Sequence, residues 1–351
     1  KRSLTVAAPF FMRRIMRAIV FDAFGEPGDV LHACDVPEPQ PQRGEVRVRM
    51  LASPVNPSDL MTVRGVYGQL PTPPATPGYE GVGIVEESGG GVMGRFLVGK
   101  RVAVLNRAGG NWAEKAVVPA NQCVPLPEEL PTEQAAMFFV NPATAYVMTR
   151  KVLAVPKGEW LLQTAAGSSL GRMISRLARH EGFKTLCVVR RAEQVDELKR
   201  LDADAAVVFD GERDDPQSLV DQVLKVTNDR GVRYAIDPVG GRTGTAVIRC
   251  LRDNGRLLVF GSLAKEPAEF NPRDLLTYTA TIEGFWLARW FAAASLPRRL
   301  ATVRKVAKLM KAGVLVNDVG RSFPLDRIAD AVRHSEEQAR GGKAWLKIAE
   351  A

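Results

Sequence analysis

The amino-acid sequence predicts an α/β protein of two domains, a mainly-β body and a doubly wound parallel sheet, and three observations carry that prediction. The chain has 351 residues, too many for one comfortable core when single domains run to roughly 100–200 residues. Residues 17 to 125 read as short strands cut by Gly and Pro. Residues 159 to 287 instead alternate apolar strands with amphipathic helices, the rhythm of a parallel sheet covered on both faces.

Taken in order, the first fifteen residues carry Lys1, Arg2, Arg13 and Arg14 without an acid. A transit peptide has that character, but one Ser, one Thr and no clear amphipathic period favour an extension ahead of a strand at Met16–Phe21. Glu45–Met50 alternates with period two, and Gly83–Glu86 is a further strand, so a barrel-like β body is the economical reading. Gln69–Gly78 contains four prolines, which remove donors and fix φ, and is predicted to be a loop.

The later strands are predicted at Trp160–Ala165, Thr185–Arg190, Ala205–Asp210, Val232–Asp237, Arg256–Gly261 and Thr281–Leu287. Helical patterns lie between them at Leu170–His180, Gln194–Leu201, Gln217–Thr227 and Arg242–Leu251. Six such strands joined by helices predict the doubly wound dinucleotide fold. With that sheet complete, the tail, with a helix marked by Val303, Val306, Leu309 and Met310 and a strand-like Lys343–Ile348, is expected to return to the first domain. The expected organisation is an extension over 1–15, one domain from 16–140 with 290–351, and a cofactor domain over 141–289.

Composition narrows the function classes. Hydrophobic residues at 46% and charged residues at 25% are the balance of a globular chain, and no apolar run reaches the roughly 20 residues of a membrane span. A soluble protein without a membrane partner is expected. The net charge of +9 invites nucleic acid, yet the basic residues are dispersed and no stretch interleaves them with aromatics. A basic surface with one anionic small ligand fits better. Cys34, Cys123, Cys187 and Cys250 lie far apart, so neither a disulfide framework nor a thiolate clamp is indicated. A reducing, cytoplasmic setting follows, or the mitochondrial matrix if residues 1–15 are a transit peptide. His32, His180 and His334, the three histidines, are too scattered for a structural zinc.

The first predicted strand of the α/β region runs into Ala166-Gly167-Ser168-Ser169-Leu170-Gly171 and then a helix. A turn of small residues lets backbone N–H groups at a helix N-terminus approach a pyrophosphate, whose charge the helix dipole favours. Ala166 and Ser168 replace two glycines of the usual fingerprint, so position rather than composition carries the motif. The second strand ends in Arg190-Arg191, where an NAD enzyme places an acid for the ribose 2′-hydroxyl. Guanidinium groups match a 2′-phosphate with forked hydrogen bonds, so NADPH is the expected cofactor.

Asn56-Pro57-Ser58-Asp59, Gly65-Val66-Tyr67-Gly68, Pro77-Gly78-Tyr79-Glu80-Gly81-Val82-Gly83, Val140-Asn141-Pro142-Ala143-Thr144-Ala145-Tyr146 and Glu283-Gly284-Phe285-Trp286-Leu287 occur in this order. From about Met16 to the end the chain resembles the mitochondrial-type trans-2-enoyl-CoA/acyl-carrier-protein reductases, of the zinc-free, quinone oxidoreductase-like branch of the medium-chain dehydrogenases/reductases. The resemblance implies a GroES-like catalytic domain, a Rossmann cofactor domain and a homodimer. Zinc-dependent relatives carry Cys and His where Asn56 and Tyr79 stand, so metal-free catalysis is implied.

It also implies NADPH-dependent reduction of the 2,3 double bond of an enoyl thioester, on CoA or an acyl-carrier protein. The family's proton donor falls on Tyr67, whose hydroxyl can stabilise the enolate and protonate the α-carbon. From the residues alone, Tyr67 serves equally as a loop anchor. Cofactor contacts fall on Asn141; on Gly167, Ser168, Ser169, Leu170 and Gly171; on Arg190, Arg191 and Ala192; on Phe260, Gly261, Ser262 and Leu263; on Phe285, Trp286 and Leu287; and on Lys343. Ala192 replaces a basic residue of the family pattern. A quinone or enone reductase, or a non-catalytic NADPH-binding sensor, would share these cofactor residues.

Overall fold

The computed structural model describes residues 14–350 except 202, 265 and 338–340. The expected N-terminal extension lies outside the described residues, save for Arg14 and for Ile15, which opens the strand Ile15–Val20. The chain forms two compact units, one reaching to Met137 and resuming at Val319, the other running from Phe138 to Asp318.

The first unit is built on the long strand Glu45–Pro54, which pairs antiparallel with Glu80–Ser88, Lys115–Pro119 and Lys343–Lys347. Arg101–Leu105 and Cys123–Pro125 extend the sheet on one side, and Val319–Phe323 closes the other in parallel with Lys343–Lys347. The predicted alternation holds where it matters, since Val46, Val48 and Met50 enter one core with Val85, Val102, Val104 and Val118. Arg47, on the other face, is buried among Glu38, Glu86 and Glu87. Trp112 is fully buried in a second core beside Phe21, Leu60 and Val63, and its indole N–H donates to the Pro54 carbonyl at 3.2 Å.

The body is not all β. A seven-residue helix, Pro57–Val63, interrupts it. Proline at the first helical position costs no donor, and the Asp59 carboxylate turns back to accept the Asn56 amide at 2.8 Å. The proline-rich stretch after Leu70 is irregular apart from one bridge between Ala75 and Phe21.

The second unit holds six parallel strands in the order 3-2-1-4-5-6, numbered along the chain as Trp160–Gln163, Lys184–Val189, Ala205–Val208, Val232–Asp237, Leu251–Val259 and Thr281–Gly284. Helices Ser169–Glu181, Glu193–Arg200, Pro216–Thr227 and Gly241–Arg249 make the crossovers, each within two residues of the predicted pattern. This is the doubly wound dinucleotide-binding topology.

Several boundaries differ from expectation: the fifth strand starts at Leu251 and stops at Val259, not Arg256 and Gly261, the first stops at Gln163, and the second unit begins at Phe138. The sixth strand stops at Gly284, not Leu287. Phe285 still donates its amide to the Val259 carbonyl at 2.8 Å, but Trp286 then opens the helix Leu287–Ala293. Adjacent aromatics at strand-like spacing concealed that turn. The tail also returns later than residue 290. The helix Leu296–Lys311 buries Thr302, Val306, Leu309 and Met310 and packs on the helix Val140–Val147 of the second unit, so its apolar stripe is spent there and the chain rejoins the first unit only at Val319.

Candidate active site

In the second unit the first strand leads into Ala165, held at φ +48°, and Ala166 turns the chain toward the helix. The Ser168 hydroxyl oxygen accepts the Gly171 amide at 3.2 Å and caps the helix. A Cβ on Gly171 would lie 2.4 Å from the Ala166 carbonyl oxygen and 2.6 Å from its Cα. Only glycine therefore lets the helix begin this close to the turn, which puts its N-terminus, the end that favours anions, at the end of the first strand. At Gly167 a Cβ would meet only the Gln194 side-chain amide, which can swing away.

Predicted cofactor residues gather around this turn. The Asn141 carboxamide donates to the Ser169 hydroxyl at 3.5 Å. The Ala166 amide donates to the Val188 carbonyl at 3.2 Å, which brings the end of the second strand alongside. Arg190, Arg191 and Ala192 follow directly, Arg190 exposed and Ala192 preceding the helix that carries Gln194. Arg172 adds a cation, its Nε donating to the Gly167 carbonyl at 3.0 Å while its guanidinium pairs with Glu197 at 2.7 Å.

The remaining second-unit residues collect at the carboxyl ends of strands four, five and six. Where strands one and four lie side by side, Thr164 donates to the buried Asp237 carboxylate, which also accepts the Val239 and Gly240 amides at 2.9 Å each. Burial raises the Asp237 pKa. Strand order reverses here, the place where open α/β sheets bind ligands. The Phe260 amide donates to the Asp237 carbonyl and Leu263 to that of Pro238, and Gly261 packs so close that a Cβ would stand 2.7 Å from the Pro238 oxygen. Ser262 and Leu263 are exposed, and Phe285, Trp286 and Leu287 are half-buried beside them in sequence order. Thr164, Asp237, Arg172 and Gln194 escaped the sequence analysis, although an Asp ending a strand before Pro238-Val239-Gly240-Gly241 was a visible signal.

The first unit carries the other candidate residues. Tyr67 is half-buried in an irregular loop between Gly65 and Gly68, both at positive φ. Its ring lies 5.8 Å from that of Tyr79, centroid to centroid, tilted by 50°. Asp59, fully buried, accepts the Tyr79 amide at 3.0 Å as well as that of Asn56. Glu80, equally buried, accepts from the Asn56 carboxamide at 3.1 Å and lies 3.8 Å from the ammonium of Lys343, itself 4% exposed. Lys343 thus belongs to a buried ion pair of the first unit. Burial lifts the Asp59 carboxyl to about 7, with Glu80 pushing the same way and the two backbone N–H groups opposing.

At the two positions where the resemblance implies zinc ligands in other members, the chain offers the Asn56 amide, turned to Glu80, and the Tyr79 phenol, turned to Thr62 at 2.7 Å. An amide and a neutral phenol do not fit zinc, which is held by thiolate, imidazole or carboxylate. Among the described residues no group of three or more His, Cys, Asp or Glu is arranged to hold a metal, and no helix is long and apolar enough to cross a membrane.

Comparison with known proteins agrees with this architecture. Residues 42–128 match the alcohol dehydrogenase GroES-like domain and residues 169–316 the zinc-binding dehydrogenase family. The mitochondrial enoyl-[acyl-carrier-protein] reductase of Xenopus tropicalis is 31% identical over 327 residues, which cover 91% of this chain and 92% of that protein. A Bacillus thuringiensis protein assigned as an NADPH:quinone reductase is 31% identical with a TM-score of 0.87, covering 96% of this chain and all of that one (100%). Escherichia coli quinone oxidoreductase complexed with NADPH is 25% identical with a TM-score of 0.85, covering 94% and 99%. With its GroES-like and Rossmann-like parts, the chain belongs to the medium-chain dehydrogenase/reductase superfamily and is an oxidoreductase. Within it, the chain falls in the branch of enoyl reductases and quinone oxidoreductases.

Two outcomes follow from the site. Gly171→Ala forces a methyl onto backbone, whereas Gly167→Ala displaces only the end of Gln194, so isothermal titration should show NADPH affinity lost by about tenfold or more in the first and little changed in the second. Equal affinities would remove Gly171 from the cofactor turn. Asp59 keeps its proton in the folded protein up to about pH 7 but has an ordinary value of 3.8, so its contribution to stability is full below that value and fades as pH rises toward 7. Thermal melts of Asp59→Asn should therefore lie furthest below the unmodified protein near pH 4 and approach it near pH 7; a gap that stays constant contradicts a protonated Asp59.

Proposed function

We propose that the protein is an NADPH-dependent enoyl thioester reductase that needs no metal. The observation that carries this reading is Tyr67, a half-buried phenol in a Gly-x-Tyr-Gly loop set against Tyr79, in a chain alignable over nine-tenths of its length with enoyl reductases. NADPH, when bound, supplies the hydride for the β-carbon. Hydride addition there leaves an enolate on the thioester oxygen and α-carbon. The Tyr67 hydroxyl donates a hydrogen bond to that developing charge and then gives its proton to the α-carbon. The phenolate is reprotonated from solvent, so charge and protons balance over a turnover.

Recognition of the cofactor rests on residues already described. The helix N-terminus beyond Gly167, capped by Ser168, takes the pyrophosphate, and Asn141 ties the neighbouring helix to that turn. Arg190 and Arg191 recognise the 2′-phosphate, and Arg172 adds positive charge beside the turn. Thr164 and Asp237 fix the ends of strands one and four, and the Phe260–Leu263 segment beyond strand five is held against the Asp237 and Pro238 carbonyls. A quinone reductase is the second reading, favoured by the solved relatives. It shares these residues but does not depend on Tyr67, because a reduced quinone takes its protons from water.

Replacing Arg190 and Arg191 together by Ala should weaken NADPH binding by roughly 10–100-fold and NADH binding far less. Equal binding of the two cofactors by the unmodified protein would defeat the assignment. Tyr67→Phe should lower crotonyl-CoA turnover by roughly 10²–10⁴ with NADPH affinity unchanged. Near-normal turnover would remove Tyr67 from the chemistry and support the quinone reading.

A further inference from the structure

We propose that Tyr79 is a positioning residue that sets the orientation of the Tyr67 phenol, an inference that rests on Tyr67 being the proton donor. Tyr67 sits in an irregular loop between glycines at φ +75° and +44°, just beyond Gly65 and Val66, whose amides donate back to the Thr62 and Met61 carbonyls of the preceding helix. Gly65 and Gly68 allow the loop its sharp course but also allow many others. A side chain that must present its hydroxyl to one carbon atom needs a rigid neighbour.

Tyr79 has the required rigidity. Its amide is held by Asp59 at 3.0 Å, and its carbonyl accepts the Asn106 amide at 2.7 Å. Its hydroxyl is held as well, and the direction of that bond can be assigned. The Thr62 hydroxyl donates its single proton to the Ser58 carbonyl at 2.9 Å. In the 2.7 Å contact between Thr62 and Tyr79 the phenol must then be the donor. Tyr79 is thereby anchored at backbone and tip, with its proton committed to Thr62. Burial raises its pKa, so it stays neutral while its neighbour exchanges a proton.

The ring so fixed packs against Tyr67 at 5.8 Å and 50°, a tilted aromatic contact with a preferred geometry. The path runs Ser58, Thr62, Tyr79, Tyr67, and it begins on the helix that Asp59 caps.

A double-mutant cycle on the full-length enzyme tests the inference, with kcat and KM for crotonyl-CoA, NADPH affinity and thermal melting as readouts. Tyr79→Ala should lower kcat by about 10–100-fold while NADPH affinity holds. Tyr79→Phe, which keeps the ring, should restore most of that loss. In a Tyr67→Phe background Tyr79→Ala should cost less than about threefold, since a residue acting through Tyr67 has nothing left to orient. Tyr79→Leu, which keeps more of the buried volume, gives the same test if the alanine variant melts early. A full, additive loss in the Tyr67→Phe background, or unchanged kcat in both Tyr79→Ala and Tyr79→Leu, overturns the inference while leaving Tyr67 as donor. Unchanged turnover in Tyr67→Phe alone overturns the reading beneath it, and the two failures are distinct.

Discussion

The carboxyl group of Asp59 is the constraint on which the candidate site of the first unit depends. It is fully buried, and its two oxygens accept backbone amides from separate parts of the chain, Asn56 and Tyr79. One bond starts the helix Pro57–Val63, whose Thr62 holds the Tyr79 hydroxyl; the other pins Tyr79 itself. Removing the carboxylate would free both amides at once inside the core, a cost of about 1–3 kcal/mol for each donor left without a partner. Glu80 beside it is matched by Lys343, so this small volume holds two acids and one cation. Burial, with Glu80 pushing the same way, keeps the proton on Asp59, which leaves one acid facing one cation.

On the proposed reading, the second unit has a different task, that of receiving a large anion without a protein acid in the way. Its means are a helix N-terminus cleared by Gly171, arginines on the flanking loops, and strand ends locked together by Thr164 and Asp237. The buried Asp237 would repel a phosphate if its charge were open. Three donors, from Thr164, Val239 and Gly240, occupy its oxygens, and burial favours its neutral form.

Much of this was legible in the sequence, and the pattern of success follows from locality. The six strands of the second unit are short apolar runs with strong β-propensity, and their helices alternate cleanly, so period alone located them. The turn at Ala166–Gly171 was readable because its position after the first strand carries the meaning. The helix Pro57–Val63 was missed because only Leu60 and Val63 mark its apolar side, too little for a periodic signal, although Asn56-Pro57 with Asp59 is a start signature. The sixth strand was overextended because Phe285 and Trp286 have strand propensity on both sides of the turn. The pairs that organise the site are nonlocal. Thr164 and Asp237 are 73 residues apart, and Tyr67 is separated from Tyr79 by the proline-rich loop. No local window contains the first contact, no periodicity across the proline-rich loop signals the second, and family resemblance named Tyr67 but not the ring packed against it.

The central claim is that hydride reaches the β-carbon of an enoyl thioester and an exchangeable proton reaches the α-carbon. Isotope placement tests it directly. Crotonyl-CoA reduced with NADPH deuterated at the transferable position should yield butyryl-CoA labelled at C3 alone, and reduction with ordinary NADPH in D2O should label C2 alone. A product labelled at C2 by the cofactor, or crotonyl-CoA left untouched while a quinone consumes NADPH, would contradict the account.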